Sequence, residues 1–362
     1  MKKLIIKGMD RRYFSRKIVE WYHEKKRALP WRATKHPYNI WLSEIILQQT
    51  RVNQGLPYYH RFIEKYPDIH SLAAAPEDEV LRLWQGLGYY SRARNLHKCA
   101  KTVVDVHGGL FPETYEELLT LPGIGEYTAA AIASFSFRER VAVVDGNVFR
   151  VLSRLFGIDM PINSPEGKKA FTRLANELID EQSPDLHNQA VMEFGATFCT
   201  PAKPDCENCI FKNKCFAFDK SLQQELPVKT KAKASRNRYF YYVVFQKGKS
   251  LLMKKRTSKD IWLGLYDFPL LEYAKPVAVK KLKRDFTKTG YHLSATDAIT
   301  LSETYKHVLT HQNIYCKFVF IKPVNKVNFV KSATRFYTFS QVSALPKPIL
   351  INRFLIDFSF HA

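Results

Sequence analysis

The sequence contains no long uninterrupted run of apolar residues. A helix that crosses a membrane needs about 20 of them, so we predict no membrane-spanning helix. At the amino terminus only Leu4, Ile5 and Ile6 are apolar in succession before charged residues return. A secretory signal needs a longer apolar segment, and we therefore expect none.

Acidic residues are scarce relative to basic ones. The 362 residues include 34 Asp and Glu against 56 Lys and Arg, which gives a formal net charge of +22. The imbalance is concentrated in residues 236–362, which hold 22 basic and 7 acidic residues, whereas residues 1–220 hold 31 and 26. So basic a segment predicts a polyanionic partner. A membrane surface is disfavoured because no basic amphipathic helix is evident, and ordinary solvated charge is the alternative.

Long internal repeats and low-complexity tracts are also absent, and the length suits two domains. From about residue 10 to residue 220, apolar residues recur at helical spacing, which predicts an all-helical domain of about ten short helices. Residues 221–235 lack aromatic side chains and carry alternating lysines, which is typical of a linker.

Residues 236–362 have a different pattern, with short β-rich runs. These runs are RYFYYVVF, LLMKK, NIYCKFVFI and RFYTFS. One lysine-rich helical candidate lies near residues 276–289. This alternation predicts a small α+β domain.

Cysteine is limited to six residues, four of them clustered. A chain without a secretory signal belongs in a reducing compartment, where clustered thiols more often bind metal than form disulfides; we therefore expect a cytoplasmic protein. The spacing C-x6-C-x2-C-x5-C is formed by Cys199, Cys206, Cys209 and Cys215. It predicts a shared iron–sulfur cluster or a structural zinc, and the single C-x2-C pair favours the cluster. Cys99 and Cys316 stand apart and are expected to be buried.

The segment LPGIGEYTAAAI, residues 121–132, places Gly123 and Gly125 just before a predicted helix. Backbone N–H groups at a helix amino terminus suit a phosphate, and side chains there would obstruct its approach. Taken alone, however, the pattern favours a tight turn between two helices.

Two acidic residues lie in unlike surroundings. Glu44 has Ile40, Trp41, Leu47 and Gln48 as its helical neighbours, a largely apolar face on which burial would raise its pKa. A structural, ion-paired glutamate is the alternative there. Asp145 precedes the predicted helix GNVFRVLSRLF, and on sequence alone a helix N-cap is the favoured interpretation. The backbone N–H groups at the start of that helix would also keep an aspartate ionised.

Together these motifs resemble the helix–hairpin–helix DNA glycosylases of the endonuclease III superfamily. The resemblance rests on L-P-G-x-G, on V-V-D-G-N about twenty residues later, and on the four-cysteine loop. The segment WLSEIILQQTRV at residues 41–52 and the carboxy-terminal extension narrow it to the A/G-specific adenine DNA glycosylases. These enzymes excise adenine mispaired with 8-oxoguanine.

The resemblance implies a multidomain fold. Residues 1–220 would form an all-α helix–hairpin–helix glycosylase domain, with the hairpin near 114–137 and an iron–sulfur cluster loop at 199–215. A linker at 221–235 would lead to a small α+β Nudix-like domain in residues 236–362.

The resemblance also assigns the chemistry. Breaking an N-glycosidic bond requires a proton on the leaving base and stabilisation of the positive charge that develops on the sugar. By resemblance, Glu44 protonates the adenine ring, Asp145 stabilises the sugar cation, and Asn147 orients sugar and water. Tyr127 stands where bifunctional relatives carry a nucleophilic lysine, and a phenol cannot form a Schiff base. We therefore expect base removal without an efficient lyase step, and Tyr127 hydrogen-bonded near Asp145.

Other positions are assigned to DNA by the same resemblance. Gly123 and Gly125 would contact the phosphate backbone. Gln49 and Tyr89 match wedge positions that fill the gap left by a flipped base, although each taken singly also suits a surface or a core. The positions around the extruded base are Arg27, Trp31, Arg32, Leu47 and Gln189. A glutamine at position 189 can hydrogen-bond adenine, but it cannot act as the anion that close relatives carry there.

The carboxy-terminal domain resembles the Nudix-like domain that recognises 8-oxoguanine, most clearly at WLGLYDFP, residues 262–269. Magnesium-dependent hydrolysis is not expected, because the candidate helix holds a single acidic residue. In the segment HVLTH, Thr310 and His311 are the implied contacts to the oxidised base, whereas Leu309 replaces an aromatic residue. Thr50 is a further implied contact to that base.

The implied function is a monofunctional adenine DNA glycosylase of bacterial type that carries one [4Fe-4S] cluster. It would act as a monomer, without a membrane, on duplex DNA containing 8-oxoguanine:adenine or guanine:adenine mispairs. Two alternatives remain. A bifunctional glycosylase-lyase of the endonuclease III type is disfavoured by Tyr127, and a non-enzymatic iron–sulfur DNA-binding sensor would not need the two acids.

Overall fold

Helices form wherever the apolar residues recur at helical spacing. The computed structural model describes residues 9–230, 235–286, 298–322 and 334–358. Up to residue 220 the α-helices are α1 (Arg11–Lys25), α2 (Pro37–Leu47), α3 (Val52–Lys65), α4 (Ile69–Ala74), α5 (Glu77–Leu83), α6 (Ser91–His107), α7 (Tyr115–Leu118), α8 (Glu126–Phe137), α9 (Gly146–Phe156), α10 (Pro165–Leu178), α11 (Pro184–Thr197) and α12 (Phe216–Asp219). Short 3-10 turns lie at Pro30–Arg32 and Lys212–Lys214. The predicted all-helical architecture of this part is confirmed.

The chain divides into two units. Unit 1 comprises Met1–Ala74 and Lys98–Lys231, and unit 2 comprises Ala75–His97 and Ala232–Ala362. Residues 75–97, which the sequence analysis placed in the helical domain, thus group with the carboxy-terminal residues. Helical periodicity could not reveal this, because it identifies a helix but not the unit against which the helix packs.

Unit 1 is built around helices that are buried on nearly all sides. In α2, every residue from Ile40 to Ile46 is buried, and in α8 every residue from Thr128 to Phe135 is buried. A helix that is apolar all round belongs inside a domain rather than on its surface. These two helices pack against each other, and α9 packs against α11. The candidate site residues on α2, α8, α9 and α11 are therefore carried by rigid central elements.

The predicted linker is attached to unit 1 as far as residue 230. The backbone carbonyl of Leu226, which is 5% exposed, accepts a hydrogen bond from Arg154 Nε at 3.1 Å. Ile162 N donates to Val228 O at 3.0 Å. A buried apolar residue within this lysine-rich segment explains why it does not extend freely from residue 221.

A buried histidine should make the stability of unit 1 sensitive to acid. His187 is 3% exposed, its Nδ1 lies 2.9 Å from Ser15 Oγ, and burial lowers its pKa to about 4. An unfolded histidine titrates near 6.5, so below that pH the unfolded state binds the extra proton and stability falls towards the folded pKa.

We predict that lowering the pH from 7 to 5 removes about 2 kcal/mol of unfolding free energy through this group. Urea unfolding of the wild type and of His187→Asn at both pH values measures the effect. The variant should lose less stability than the wild type over this interval, and equal losses would contradict the prediction.

Unit 2 contains two sheets. The strands are β1 (Arg236–Val244), β2 (Gln246–Lys247), β3 (Ser250–Lys255), β4 (Tyr266–Asp267), β5 (Leu270–Tyr273), β6 (Ala298–Leu301), β7 (Tyr305–Leu309), β8 (Gln312–Lys322) and β9 (Thr334–Thr338). The helices in this part are α13 (Val279–Phe286), α14 (Phe339–Ala344) and α15 (Ile349–Asp357). The first sheet has the order β5-β1-β8-β6, with β7 also paired to β8, and the second has the order β2-β3-β4, with β9 paired to β3.

The register of the first sheet follows from its central pair. Strands β1 and β8 run parallel, with Arg236 opposite Gln312 and Val244 opposite Phe320, whereas β5, β6 and β7 are antiparallel to their partners. All four β-rich runs identified in the sequence form strands, and the α+β prediction is confirmed. The lysine-rich helix is α13, and the rest of that candidate, from residue 287, lies outside the described residues.

Strands β2, β4, β5, β6 and β7 were not predicted individually, and each spans two to five residues. Cys99 and Cys316 are buried as expected. Among the described residues there is no helix of the length and apolar character that spanning a membrane requires.

Candidate active site

A cavity of about 180 Å³ in unit 1 brings together ten of the residues identified in the sequence. They are Arg27, Trp31, Arg32, Glu44, Leu47, Thr50, Tyr127, Asp145, Asn147 and Gln189. These residues are separated by up to 162 positions in the chain, so their convergence is a result of the fold. These ten residues include two acids, two guanidinium groups and two amides.

Glu44 lies on α2 and is only 6% exposed. Burial raises its pKa to about 7, and the neighbouring charge of Asp145 acts in the same direction. A hydrogen bond from Tyr127 and the charge of Arg32 act in the opposite direction but do not outweigh burial. This carboxyl can hold a proton near neutral pH.

The hydroxyl of Tyr127, in the first turn of α8, donates a hydrogen bond to Glu44 Oε2 at 2.5 Å. The prediction that this hydroxyl bonds near Asp145 was wrong, because its partner is the other acid, Glu44. Burial and the two nearby acids raise the pKa of Tyr127 well above its usual value, so the phenol stays protonated. With Oε2 accepting from Tyr127, Oε1 of Glu44 is the oxygen left to carry a proton.

Asp145 is the N-cap of α9, as its sequence position indicated. Its Oδ1 accepts hydrogen bonds from the backbone N–H groups of Asn147 and Val148, each at 2.8 Å, and its Oδ2 accepts one from Asn147 Nδ2 at 2.7 Å. Burial raises the pKa of Asp145, while these hydrogen bonds and the charge of Arg150 oppose the rise. Three N–H donors favour the ionised carboxylate at the helix terminus.

A buried arginine fixes the orientation of Asn147. Arg150 Nη2 donates to Asn147 Oδ1 at 2.8 Å and to the carbonyl of Gly195 at 2.6 Å. A Cβ at Gly195 would lie 2.7 Å from the Asn147 Cβ, so only glycine lets α11 approach this closely. Arg150 Nε also donates to Cys199 O at 2.8 Å, which ties the start of α9 to the cysteine loop.

Two guanidinium groups share one carboxylate at the cavity wall. Glu193 on α11 is fully buried, and it accepts hydrogen bonds from Arg27 Nε at 2.7 Å and from Arg32 Nη2 at 2.7 Å. Hydrogen bonds from both arginines hold the pKa of Glu193 at about 2 in spite of burial. Glu193 therefore remains an anion that offsets one of the two positive charges.

The remaining cavity residues offer apolar and amide surface. Trp31 is 8% exposed, and its ring packs edge-on against Tyr59 with ring centroids 5.1 Å apart. Gln189 accepts a hydrogen bond at Oε1 from the hydroxyl of Tyr22 at 2.7 Å. Leu47 ends α2 at the cavity. A cavity that combines apolar surface with fixed polar groups suits a planar base.

Comparisons with known proteins identify the family. Residues 42–179 match the HhH-GPD superfamily of base excision DNA repair proteins, and residues 240–357 match a NUDIX domain. An adenine DNA glycosylase of Buchnera aphidicola subsp. Baizongia pistaciae is 33% identical over 346 residues, which cover 93% of this chain and 94% of the relative. The chain belongs to the adenine DNA glycosylase family.

Three further comparisons extend this assignment. The human adenine DNA glycosylase is 42% identical over 222 residues, which cover 59% of this chain and 41% of the human protein. Among solved structures, a thermostable thymine-DNA glycosylase superposes with a TM-score of 0.54 at 32% identity, covering 58% of this chain and 97% of that one. A trapped endonuclease III–DNA covalent intermediate has a TM-score of 0.51 at 23% identity, covers 58% and 96%, and supports the fold. The predicted DNA glycosylase of base excision repair is confirmed at this level.

The hairpin glycines of the glycosylase lie at its surface. Gly123 has φ +76°, a conformation that favours glycine, whereas Gly125 has φ −105°, which any residue adopts. A Cβ at Gly125 would have no atom within 4 Å. Neither backbone strain nor packing within the protein requires glycine there. A ligand that approaches the backbone at Gly125 would explain why glycine is present there.

Both predicted wedge residues have left-handed backbones. Gln49 is exposed with φ 55°, and Tyr89 is 46% exposed with φ 46°. Such conformations in non-glycine residues are uncommon and concentrate at functional sites. Gln49 belongs to unit 1 and Tyr89 to unit 2.

Unit 2 brings Tyr89 to the turn between β7 and β8. Its hydroxyl hydrogen-bonds Thr310 Oγ1, and the adjacent His311 is exposed. Arg92 lies over the rings of Trp84 and Tyr89, at 5.0 and 5.7 Å from their centroids, and steadies this aromatic side chain. The structure thus joins two segments that the sequence assigned to DNA separately.

The four cysteines follow α11 in one loop. Arg154 Nη1 donates to Cys199 Sγ at 3.5 Å, and Phe211 N donates to Cys209 Sγ at 3.4 Å. Burial raises the pKa of the Cys209 thiol to about 12. In the part of the chain that is described, no three or more His, Cys, Asp or Glu side chains form a group ready to hold a metal ion.

Three residues that bond to the predicted site residues were missed by sequence reasoning. Glu193 follows Gln189 by one helical turn, so spacing alone could have placed it in the cavity. Arg150 follows Asn147 by three residues and offered the same signal. Tyr22 offered none, because its partner Gln189 lies 167 residues away.

Proposed function

We propose that this glycosylase removes adenine from 8-oxoguanine:adenine and guanine:adenine mispairs without an efficient lyase step. It would act as a cytoplasmic monomer on duplex DNA. The observation that carries the proposal is that one cavity holds a carboxyl with a pKa near 7 and a second carboxyl capped by three N–H groups.

The first carboxyl acts as the acid. A flipped adenine would enter the cavity, where Glu44 Oε1 presents its proton to a ring nitrogen. Protonation makes the base a better leaving group as the N-glycosidic bond lengthens. Tyr127, which donates to Oε2, keeps the carboxyl in one orientation.

The second carboxyl acts on the sugar. As the bond breaks, positive charge develops on the sugar ring, and the anionic Asp145 stabilises it. Asn147 bonds the same carboxylate and is held in turn by Arg150, so it is fixed beside the reacting carbon, where a water must attack.

Base removal without strand cleavage is supported by the nature of the lining residues. Within the described part of the chain, no lysine lines this cavity. A lyase step through a Schiff base needs an amine, and Tyr127 provides a phenol that remains protonated.

An open glycine position at the start of α8 supports DNA binding. Gly125 leaves open space at the start of α8, where backbone N–H groups suit a phosphate. We assign Gln49 and Tyr89 to the gap left by the flipped base, and Thr50, Thr310 and His311 to the opposite 8-oxoguanine.

The four-cysteine loop is proposed to hold one [4Fe-4S] cluster. Four thiols, an N–H group directed at Cys209 sulfur and a guanidinium at Cys199 sulfur fit the net negative charge of a thiolate-bound cluster. Cys199, Cys206, Cys209 and Cys215 would be its ligands. When bound, the cluster would fix the fold of this loop.

The proposal is tested with an end-labelled duplex that carries one 8-oxoguanine:adenine pair. The strand should break at the adenine only after treatment with hot alkali, and a fully matched duplex should stay intact. Tight binding without alkali-sensitive breaks would contradict the proposal and favour the sensor. Borohydride trapping in high yield would instead favour the glycosylase-lyase.

The pH dependence follows from the pKa of Glu44. The acid must be protonated, and its proton is lost as the pH rises through about 7. We predict that the single-turnover excision rate falls roughly 50-fold between pH 7 and pH 9. Rates measured with saturating enzyme, and gel-shift binding at each pH as the control, separate chemistry from affinity. A rate that does not change over this interval would rule out Glu44 as the acid.

A further inference from the structure

The hydrogen bond between Tyr22 and Gln189 links the core of α1 to the cavity. Tyr22 is 1% exposed, and its hydroxyl donates to Gln189 Oε1 at 2.7 Å. Gln189 is partly exposed and lines the cavity. A buried phenol is therefore in direct contact with a side chain that can touch the base.

This contact restricts what Gln189 can offer. A side-chain amide has one acceptor oxygen and one NH2 group with two donors. With Oε1 accepting from Tyr22, the NH2 group is left for the cavity, and in the described residues no acceptor is bonded to it. Burial raises the pKa of Tyr22, so the phenol stays protonated and remains a hydrogen-bond donor.

The neighbouring carboxylate of this wall is already engaged. Glu193, one turn further along α11, is bonded by Arg27 and Arg32. The ring of Tyr22 lies against the Arg32 guanidinium, which is 5.6 Å from its centroid. The phenol is therefore held in place beside Gln189.

We propose that Tyr22 is a positioning residue for base selection, because it holds Gln189 with its NH2 group directed at N1 of the flipped adenine. This inference rests on the proposed function. Of the ring acceptors of adenine, N7 and N3 lie on either side of the glycosidic nitrogen N9, and so on the side of the breaking bond with Glu44 and Asp145. N1, on the Watson–Crick edge, is the acceptor left for Gln189.

The same orientation excludes other purines. Guanine and hypoxanthine carry a hydrogen on N1, so the fixed NH2 group would face another donor. A donor–donor pair leaves both groups without a bond in a water-poor site, which is costly. Turning the amide oxygen to such a base would leave the buried hydroxyl of Tyr22 without its acceptor, which costs free energy. The phenol therefore provides selectivity through Gln189.

The test compares adenine with 1-deazaadenine, in which N1 is replaced by C–H, each placed opposite 8-oxoguanine. Single-turnover excision by the wild type should be faster on adenine. Tyr22→Phe should reduce the adenine rate about 3- to 10-fold and leave the 1-deazaadenine rate unchanged. Gln189→Leu should reduce the adenine rate similarly, and adding Tyr22→Phe to it should cause no further loss.

Tyr38→Phe is the matched control. Tyr38 is also fully buried, and its hydroxyl donates to Tyr66 O at 2.6 Å, away from the lining residues. It should change both rates by the same factor, if at all. The inference is overturned if Tyr22→Phe lowers both rates equally or leaves the adenine rate unchanged. Absence of excision by the wild type would instead overturn the proposed function.

Discussion

Glu44→Gln should lower the rate of adenine excision by about 10²- to 10⁴-fold while leaving DNA binding intact. The amide keeps the shape of the carboxyl and can still accept the hydrogen bond from Tyr127, but it has no acidic proton. Glu44 is only 6% exposed, and because glutamine has nearly the same size, the substitution leaves no new cavity. The loss is expected in the chemical step rather than in affinity.

Single-turnover rates and gel-shift affinities on the same mispaired duplex measure these two effects separately. Glu139→Gln is a suitable control, since that carboxylate accepts a hydrogen bond from Tyr115 N at 2.7 Å and does not line the cavity. Excision by Glu44→Gln at the wild-type rate would show that another group protonates the base, or that the protein acts as a sensor.

Asp145→Asn should lower the excision rate by about 10²- to 10³-fold, through loss of negative charge at the sugar. The asparagine oxygen can still accept from the N–H groups of Asn147 and Val148, so α9 keeps its N-cap, but an NH2 group replaces the oxygen that accepts from Asn147 Nδ2. The variant therefore keeps the helix cap and loses the charge together with one side-chain hydrogen bond. The interpretation of Asp145 as N-cap and the interpretation as catalytic group predict different results for this variant.

The measurement pairs excision rate with thermal stability. Asp10→Asn is the matched control, because Asp10 caps α1 through a 2.7 Å hydrogen bond from Tyr13 N and lies outside the cavity. Both variants should melt close to the wild type, and only Asp145→Asn should lose activity. Full activity of Asp145→Asn would reduce this residue to a helix cap.

The surroundings of the two acids, Glu44 and Asp145, could be predicted from the sequence because local patterns determine them. The burial of Glu44 follows from apolar residues at helical spacing, and the capping role of Asp145 follows from its place before α9. Both depend on contacts within a few residues. The predicted hydrogen-bond partner of Tyr127 was wrong because spacing along α8 does not give the distance from α8 to α2.

Long-range pairs explain the rest of what was missed. Tyr22 meets Gln189, and Arg27 meets Glu193 166 residues away, only because α1 packs against α11. Residues 75–97 join unit 2 for a similar reason, since Arg94 Nη1 donates to Leu263 O at 2.7 Å. Such contacts leave no trace in periodicity.

A crystal structure of Asp145→Asn bound to a duplex with an 8-oxoguanine:adenine pair tests the account most directly. We predict the adenine flipped into the cavity of unit 1, with Glu44 at a ring nitrogen of the base and residue 145 facing the sugar. An adenine that remains stacked in the duplex, or that occupies a different cavity from these two side chains, would contradict it.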